Sequence, residues 1–340
     1  MQAPKYKEIK QEYLEKLYWP WLSGNPNAIP LLKKFPEKIS WTWLSRNPNA
    51  IPLLERFSHK INWGYLSKNP NAIPLLETML KHDPESIDWT YLSFNPNAIP
   101  LLERFHEKID WKWLSLNPNA IPLLERFPEN IYWGRLSLNP NAIPLLERFT
   151  ERIEWHYLSS NPNAIPLLEK YPERIYWYFL SRNPNAIHLL ENMLKHDPEK
   201  INWGRLSLNP NAIHLLENMA KHDPEKINWC ALSGNPNAIH ILEKFPEKIN
   251  WHALSQSPNA VHLLKDALNH YPEKIDWENL SQNPNFMDII GDLDYEAMKR
   301  AIQPLAEELA QWINEPRRYG SPEEFLKRQY EFGFIEQEDL

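Results

Sequence analysis

Twelve times between residues 19 and 285 the chain repeats one pattern: Trp-x-x-Leu-Ser-x-Asn-Pro-Asn-Ala-Ile-Pro/His-Leu-Leu, then a polar stretch that ends in Ile or a relative before the next Trp. The units open at Trp19, Trp41, Trp63, Trp89, Trp111, Trp133, Trp155, Trp177, Trp203, Trp229, Trp251 and Trp277. Self-similarity at this period marks a solenoid, in which each unit is one supersecondary piece stacked on the next. The consequence for function is direct. A residue present in every unit cannot be a unique catalyst, so recurring residues build the fold and only the varying ones can build a site.

The tryptophans stand 22 or 26 residues apart, and the long units insert Met79 to Asp83, Met193 to Asp197, Met219 to Asp223 or Ala267 to His270 at one place. Four residues make about one α-helical turn, so the insertion lengthens a helix and leaves its apolar stripe facing the same way. Strands would show no such quantum. Within the second unit, Trp41 and Leu44 share one helical face. Asn47-Pro48 ends that helix, because a residue before proline is pushed out of the α region. Asn49 then reads as the N-cap of a second helix, with Pro52 at its third position, where a missing N–H costs nothing. A Pro-Glu-Lys-Ile turn (Pro36 to Ile39 in the preceding unit) leads to the next Trp. The paired asparagines are expected to cap helices and bond between units as a ladder, with Ser257, which replaces Asn in the eleventh unit, as its weak point.

The expected fold is therefore an all-α solenoid of twelve two-helix repeats, about 100 Å long at ~8–10 Å per layer. Residues 1–18 read as an N-terminal cap, with an amphipathic helix over 4–18 that carries Ile9, Tyr13, Leu14 and Leu17 on one stripe. Residues 286–340 read as an acidic cap or docking segment with helices near 294–313 and 321–332. From Phe286 onward there are 6 basic and 13 acidic residues, so the net charge of −7 sits there, and the rest of the chain balances 31 against 31. A neutral array argues against a phosphate-tracking surface and hence against nucleic acid. No apolar run is long enough to cross a membrane, no signal peptide is visible, and one cysteine (Cys230) allows no intrachain disulfide. These features fit a monomer in a reducing compartment.

Catalytic signatures are absent: no phosphate-cradling glycine loop, no His-Glu-x-x-His, no Cys-x-x-Cys and no Gly-x-Ser-x-Gly. The chain reads as a non-enzyme with no cofactor and no metal. His188, His214, His240 and His262 replace the helix-start proline in four units and form a row. Layers about 8–10 Å apart cannot place two imidazoles about 2 Å from one ion, so the row is expected to be solvated. His82, His196 and His222 read as surface residues.

The varying positions offer the candidate site. Two residues after each Trp come Trp21, Trp43, Tyr65, Tyr91, Trp113, Arg135, Tyr157, Phe179 and Arg205, then Ala231, Ala253 and Asn279. Three residues further on, adjacent on a helix surface, stand Arg46, Lys68, Phe94 and Arg182 among smaller residues. Stacking would align them as an aromatic and basic ridge along repeats 1–9, composed of the residue types that interface hot spots favour. Packing between neighbouring units is the competing reading of the same row.

The Asn-Pro-Asn-Ala-Ile-Pro-Leu-Leu-Glu core (residues 47–55 and 69–77, with Lys in place of Glu at 25–33) resembles tandem-repeat proteins encoded by large nucleocytoplasmic DNA viruses. Asp294-Tyr295-Glu296-Ala297-Met298-Lys299 and Pro304-Leu305-Ala306-Glu307-Glu308-Leu309 also resemble the tail of such proteins, whereas Trp312-Ile313-Asn314-Glu315-Pro316-Arg317 departs from it. The unit is similar, more loosely, to the leucine-rich variant repeat, which implies alternating α and 3₁₀ helices in a curved superhelix. The resemblance implies a viral protein. The expected role is a scaffold that binds host or viral proteins in the host cytoplasm; the alternative is a structural rod within the virus particle.

Overall fold

A computed structural model of the 340-residue chain describes residues 7–293 together with residue 303. The chain divides into two units, an array running from Lys10 to Ile290 and a second unit whose described part is an antiparallel strand pair. That pair joins Lys7–Ile9 to Gly291–Leu293, with Glu8 opposite Asp292. The segments near 294–313 and 321–332, where two helices are expected, lie outside the described residues.

The array is an all-α solenoid of twelve repeats. In the second, a Trp helix (Trp41–Ser45) is followed by a 3₁₀ turn (Pro48–Ala50), a second α-helix (Ile51–Arg56) and another 3₁₀ turn (Ser58–Lys60). The second helix has 6 residues there and 10 in Ile73–His82. That difference is the extra turn that the longer units imply. Leu44, Ala50 and Leu54 have no exposed surface, and the equivalent Leu, Ala and Leu of every other complete repeat are likewise buried.

One detail of the helix register differs from expectation. The cap is Asn47, whose side chain accepts from the Asn49 N–H, and Pro52 sits within the first two helical positions rather than at the third. The Pro-Asn-Ala step folds into its own 3₁₀ turn, which frees the Asn49 amide to donate to the Pro26 carbonyl of the preceding repeat at 3.1 Å.

Three hydrogen-bond ladders hold neighbouring repeats together. Asn47 Nδ2 donates to the carbonyls of Ser23 and Asn25, at 3.0 and 2.9 Å. Asn49 makes the bond just described. Ser45 Oγ donates to the Trp41 carbonyl and accepts the N–H of Asn62, which caps the Trp helix of the next repeat. Asn47 and Ser45 are fully buried. These bonds therefore satisfy groups that would otherwise cost about 1–3 kcal/mol each.

The ladders do not stop at the ends. Asn25 of repeat 1 donates to the carbonyls of Ser281 and Asn283 in repeat 12, at 3.1 and 3.0 Å. Asn27 donates to Pro284, and the Tyr18 N–H reaches Ser281 Oγ. Repeat 12 thus precedes repeat 1 by the same operator that relates every other pair, and the array is a closed ring. The length of about 100 Å expected for stacked layers is corrected here: it becomes the order of a circumference. A fixed rotation per repeat closes when the repeats complete one turn, and no core face is then left to cap.

The N-terminal segment takes part in the closure. It is not a helix over 4–18: residues 7–9 are extended and only Gln11–Leu14 is α-helical. Tyr13, Lys16 and Leu17 precede Trp19 by the same intervals at which Phe35, Lys38 and Ile39 precede Trp41. In each 22-residue repeat the opening Trp meets this aromatic, as Trp19 meets Phe35 with centroids 5.6 Å apart. Repeat 12 lacks such a residue, and Tyr13 supplies it at 5.4 Å from Trp277, with the Lys16 ammonium 5.2 Å from the same ring. The twelfth repeat is therefore assembled from both ends of the array. Its C-terminal part extends to Ile290, past the expected boundary at 285, with Phe286 fully buried.

Candidate interaction surface

The helical wheel places the site. On a Trp helix, Trp, Leu and Ser (positions 1, 4 and 5) face the core, so positions 3 and 6 point the opposite way. Most neighbouring Trp helices pack directly on one another around the ring, whereas most of the second helices approach their neighbours less closely. In a closed ring the tighter layer is the inner one. Positions 3 and 6 therefore line the interior of the array. Twelve helices about 8–10 Å apart give a circle roughly 30–40 Å across between axes. Side chains reaching about 5–6 Å from each axis leave an opening of roughly 20–28 Å.

Many of the residues expected to form a ridge are in contact with their neighbours there. Trp21 and Trp43 pack at 4.5 Å between centroids, Trp43 and Tyr65 at 6.4 Å, and Tyr65 and Tyr91 at 6.0 Å. Phe94 meets Trp113 edge-on at 5.8 Å. Cations lie over the rings: Arg46 on Trp43, Lys68 on Tyr91 and Phe94, and Arg135 on Trp113, at 4.9 to 6.0 Å. Tyr157 crosses the face of repeat 6, where its ring lies 3.2 Å from where a Gly134 Cβ would stand. Arg205 lies 4.1 Å from the Tyr178 centroid and 5.0 Å from that of Phe179. Arg182 is exposed and extends from repeat 8.

The aromatics are half-buried against one another, which is packing, and none is core, which leaves one face of each open. Trp21 also donates from Nε1 to Glu278 across the junction of repeats 12 and 1, at 2.8 Å. The row fades at Ala231 and Ala253, as its sequence implies.

Charge is sorted between adjacent rows. The twenty-four lining positions hold five cations (Arg46, Lys68, Arg135, Arg182, Arg205) and no acid. The residues just before and just after each Trp hold five acids (Asp88, Asp110, Glu154, Asp276, Glu278) and one lysine, Lys112. These acids serve the fold: Asp88 and Asp110 cap their helices by accepting from Tyr91 and Trp113 N–H.

A cluster in repeats 6–9 extends the row beyond what the sequence reading singled out. Tyr132, Tyr157, Tyr176 and Tyr178 are 53, 39, 52 and 48 % exposed. His156 joins them, 4.0 Å from Tyr157, 6.0 Å from Tyr176 and 5.7 Å from Phe179 between centroids. Tyr132 and Tyr176 occupy cap positions that hold Asn or Asp in seven other repeats, and that substitution was the legible signal.

The histidine row lies on the second helices, where each imidazole meets a glutamate of the preceding repeat. His188, His214 and His262 sit 2.7 Å from Glu169, Glu191 and Glu243, and His240 lies 3.6 Å from Glu217. Glu217 also pairs with Lys244 and Lys221, and the Lys244 ammonium in particular holds its carboxyl below the usual carboxylate range. Arg104, Arg126 and Arg148 make equivalent outer pairs with Glu77, Glu103 and Glu125. Among the described residues no group of three His, Cys, Asp or Glu is placed to hold a metal ion. No helix among them is long and apolar enough to cross a membrane. His82, His196 and His222 are exposed, as is the Cys230 thiol. Comparison of the chain with protein-family models, with curated proteins and with solved structures finds no match.

Proposed function

We propose that the ring is a non-enzymatic scaffold that binds protein partners through its aromatic and cationic lining. The supporting observation is the row from Trp21 to Arg205, in which Trp, Tyr and Arg side chains pack on their neighbours without being core. Rigid aromatics and arginines lose little conformational freedom on binding and dominate interface energies. The repeat core resembles that of arrays encoded by large DNA viruses, so the setting we propose is the cytoplasm of an infected host cell. The single exposed thiol fits a reducing compartment.

The alternative role in a virus particle rested on an extended rod, and repeats 1 and 12 instead bond to each other. A ring-shaped particle component is the form of that alternative that remains open to test. The experiment compares the intact protein with a Trp43→Ala, Tyr65→Ala, Tyr91→Ala, Trp113→Ala variant, both shown to be folded by circular dichroism, in crosslinking from host lysate and from purified particles. Host proteins captured by the first and lost by the second support the scaffold. Capture of particle proteins alone supports the structural role, and identical capture by both proteins places the site elsewhere.

A further inference from the structure

We propose that the lining accepts an acidic peptide segment of a partner protein, laid along repeats 1–9 with its carboxylates on the lining cations and its side chains against the aromatic row. This rests on the scaffold reading and adds the chemistry of the partner. The first argument is charge: five cations and no acid among twenty-four lining positions, in a chain whose cations and acids balance before Phe286. Among the described residues those cations have no carboxylate of their own. Arg46, Lys68, Arg135 and Arg205 are held over aromatic rings. Arg182 meets no acid among the described residues.

The second argument is an orphaned donor. Arg205 Nε is buried and has no hydrogen-bond acceptor, although its guanidinium lies over the Tyr178 and Phe179 rings. A guanidinium can give a carboxylate two parallel hydrogen bonds, and its planar fork is pre-organised for them. Tyr178 beside it is half exposed, and His156, which packs on the same Phe179 ring and on the exposed Tyr157, continues the surface that an apolar or aromatic neighbour of that carboxylate would meet.

The third argument separates a peptide from a polyphosphate. The five acids of the adjacent row run beside the cations on the same layer of helices. A nucleic acid places one charge on every nucleotide and neutralises clustered Lys/Arg. It would meet the acidic row as well, and five cations spread over nine repeats are too sparse to track it. A peptide with a few spaced carboxylates can follow one row and avoid the other.

The test uses fluorescein-labelled copolymers of Glu and Tyr, of Lys and Tyr, and of Ser and Tyr, together with labelled (dT)20, read by fluorescence anisotropy on the intact chain. The lining variant carries Arg46→Gln, Lys68→Gln and Arg182→Gln, all exposed and so harmless to folding. A charge-matched control carries Arg104→Gln, Arg126→Gln and Arg148→Gln on the outer helices, where these side chains are about 60 % exposed. Arg205→Gln is measured separately beside a melting curve. The Glu-Tyr probe should bind, lose about tenfold or more in affinity in the lining variant, and change less than about twofold in the control. Equal loss in both variants, or no binding of the Glu-Tyr probe, overturns the proposal. Tighter lining-dependent binding of (dT)20 overturns it in favour of a nucleic acid. Lining-dependent binding of the Ser-Tyr probe alone overturns the acidic partner and leaves the scaffold reading standing.

Discussion

Replacing Ser257 by Asn should stabilise the ring. In the eleven other repeats this buried position is Asn, whose amide donates to two carbonyls of the preceding repeat, as Asn235 does to Ser207 and Asn209 at 3.0 and 3.1 Å. Its Oδ1 also accepts the N–H two residues on. Ser257 is too short to reach across, and its own Oγ is buried with no partner. The backbone is already suited to Asn: φ/ψ is −71°/123° at Ser257 against −76°/118° at Asn47. Space is expected too, because Asn47 occupies the same surroundings with no exposed surface. Two inter-repeat hydrogen bonds at about 1 kcal/mol each, plus relief of an unsatisfied hydroxyl worth about 1–3 kcal/mol, set the gross gain. Ordering the amide side chain returns about 1 kcal/mol, so the net is about 2–4 kcal/mol. For an array of this size, with an unfolding entropy of about 2.1 cal/mol/K per residue, that raises Tm by about 3–7 °C. Thermal melting gives the magnitude, and hydrogen exchange at the Asn259 amide locates it. A Tm that stays put or falls would show that the ladder is not what couples the repeats.

The converse change, Asn139→Asp, removes two donors from a fully buried site and points a carboxylate at two carbonyls; denaturant melts should show a loss of about 3–5 kcal/mol. Trp43→Ala removes a half-buried ring that packs on Trp21 and Tyr65, so it should cost about 1–3 kcal/mol while circular dichroism remains native. Deleting four residues from the second helix at Ile73–His82 should leave a cooperative melt, because six-residue helices serve the same place elsewhere. Deleting three should broaden or abolish it, since the apolar face turns by roughly 60°. Glu217→Gln should destabilise slightly at neutral pH and not at all in acid. The native carboxyl titrates below its unfolded value because of Lys244, so its contribution is present above the unfolded pKa and vanishes as pH falls through the folded one. Melting curves of the two proteins should converge on acidification.

How much of this was legible depended on the reach of each signal. The helix pattern, the one-turn insertions and the ridge were readable because they recur within a few residues of one another, and the wheel then fixed which face the ridge occupies. The N-cap register was misread at Asn49, since the competing reading, a separate 3₁₀ turn over Pro48–Ala50, differs by only two residues. Closure was not read. Its signal was present in Tyr13, Lys16, Leu17 and Trp19, which keep the spacing of Phe35, Lys38, Ile39 and Trp41. A segment without proline in that stretch looks like an amphipathic helix, and the sum of twelve small rotations is not written in any one repeat. Tyr132 and Tyr176 stand immediately before a Trp, outside the two positions that define the ridge, so the row alone does not point to them.

The central claim is that repeat 12 bonds to repeat 1 as any repeat bonds to its neighbour. Its most direct test is cysteine crosslinking in a Cys230→Ser background with a short bis-maleimide. One protein carries Gly24→Cys and Gln282→Cys, the sixth positions of repeats 1 and 12. The reference carries Gly234→Cys and Gln256→Cys, the same positions in adjacent repeats 10 and 11. A closed ring predicts equal intramolecular crosslinking in both proteins, seen as a circularised species of altered gel mobility in the first. Crosslinking of the reference alone, with 24 and 282 left unjoined, would contradict closure and return the array to an open superhelix.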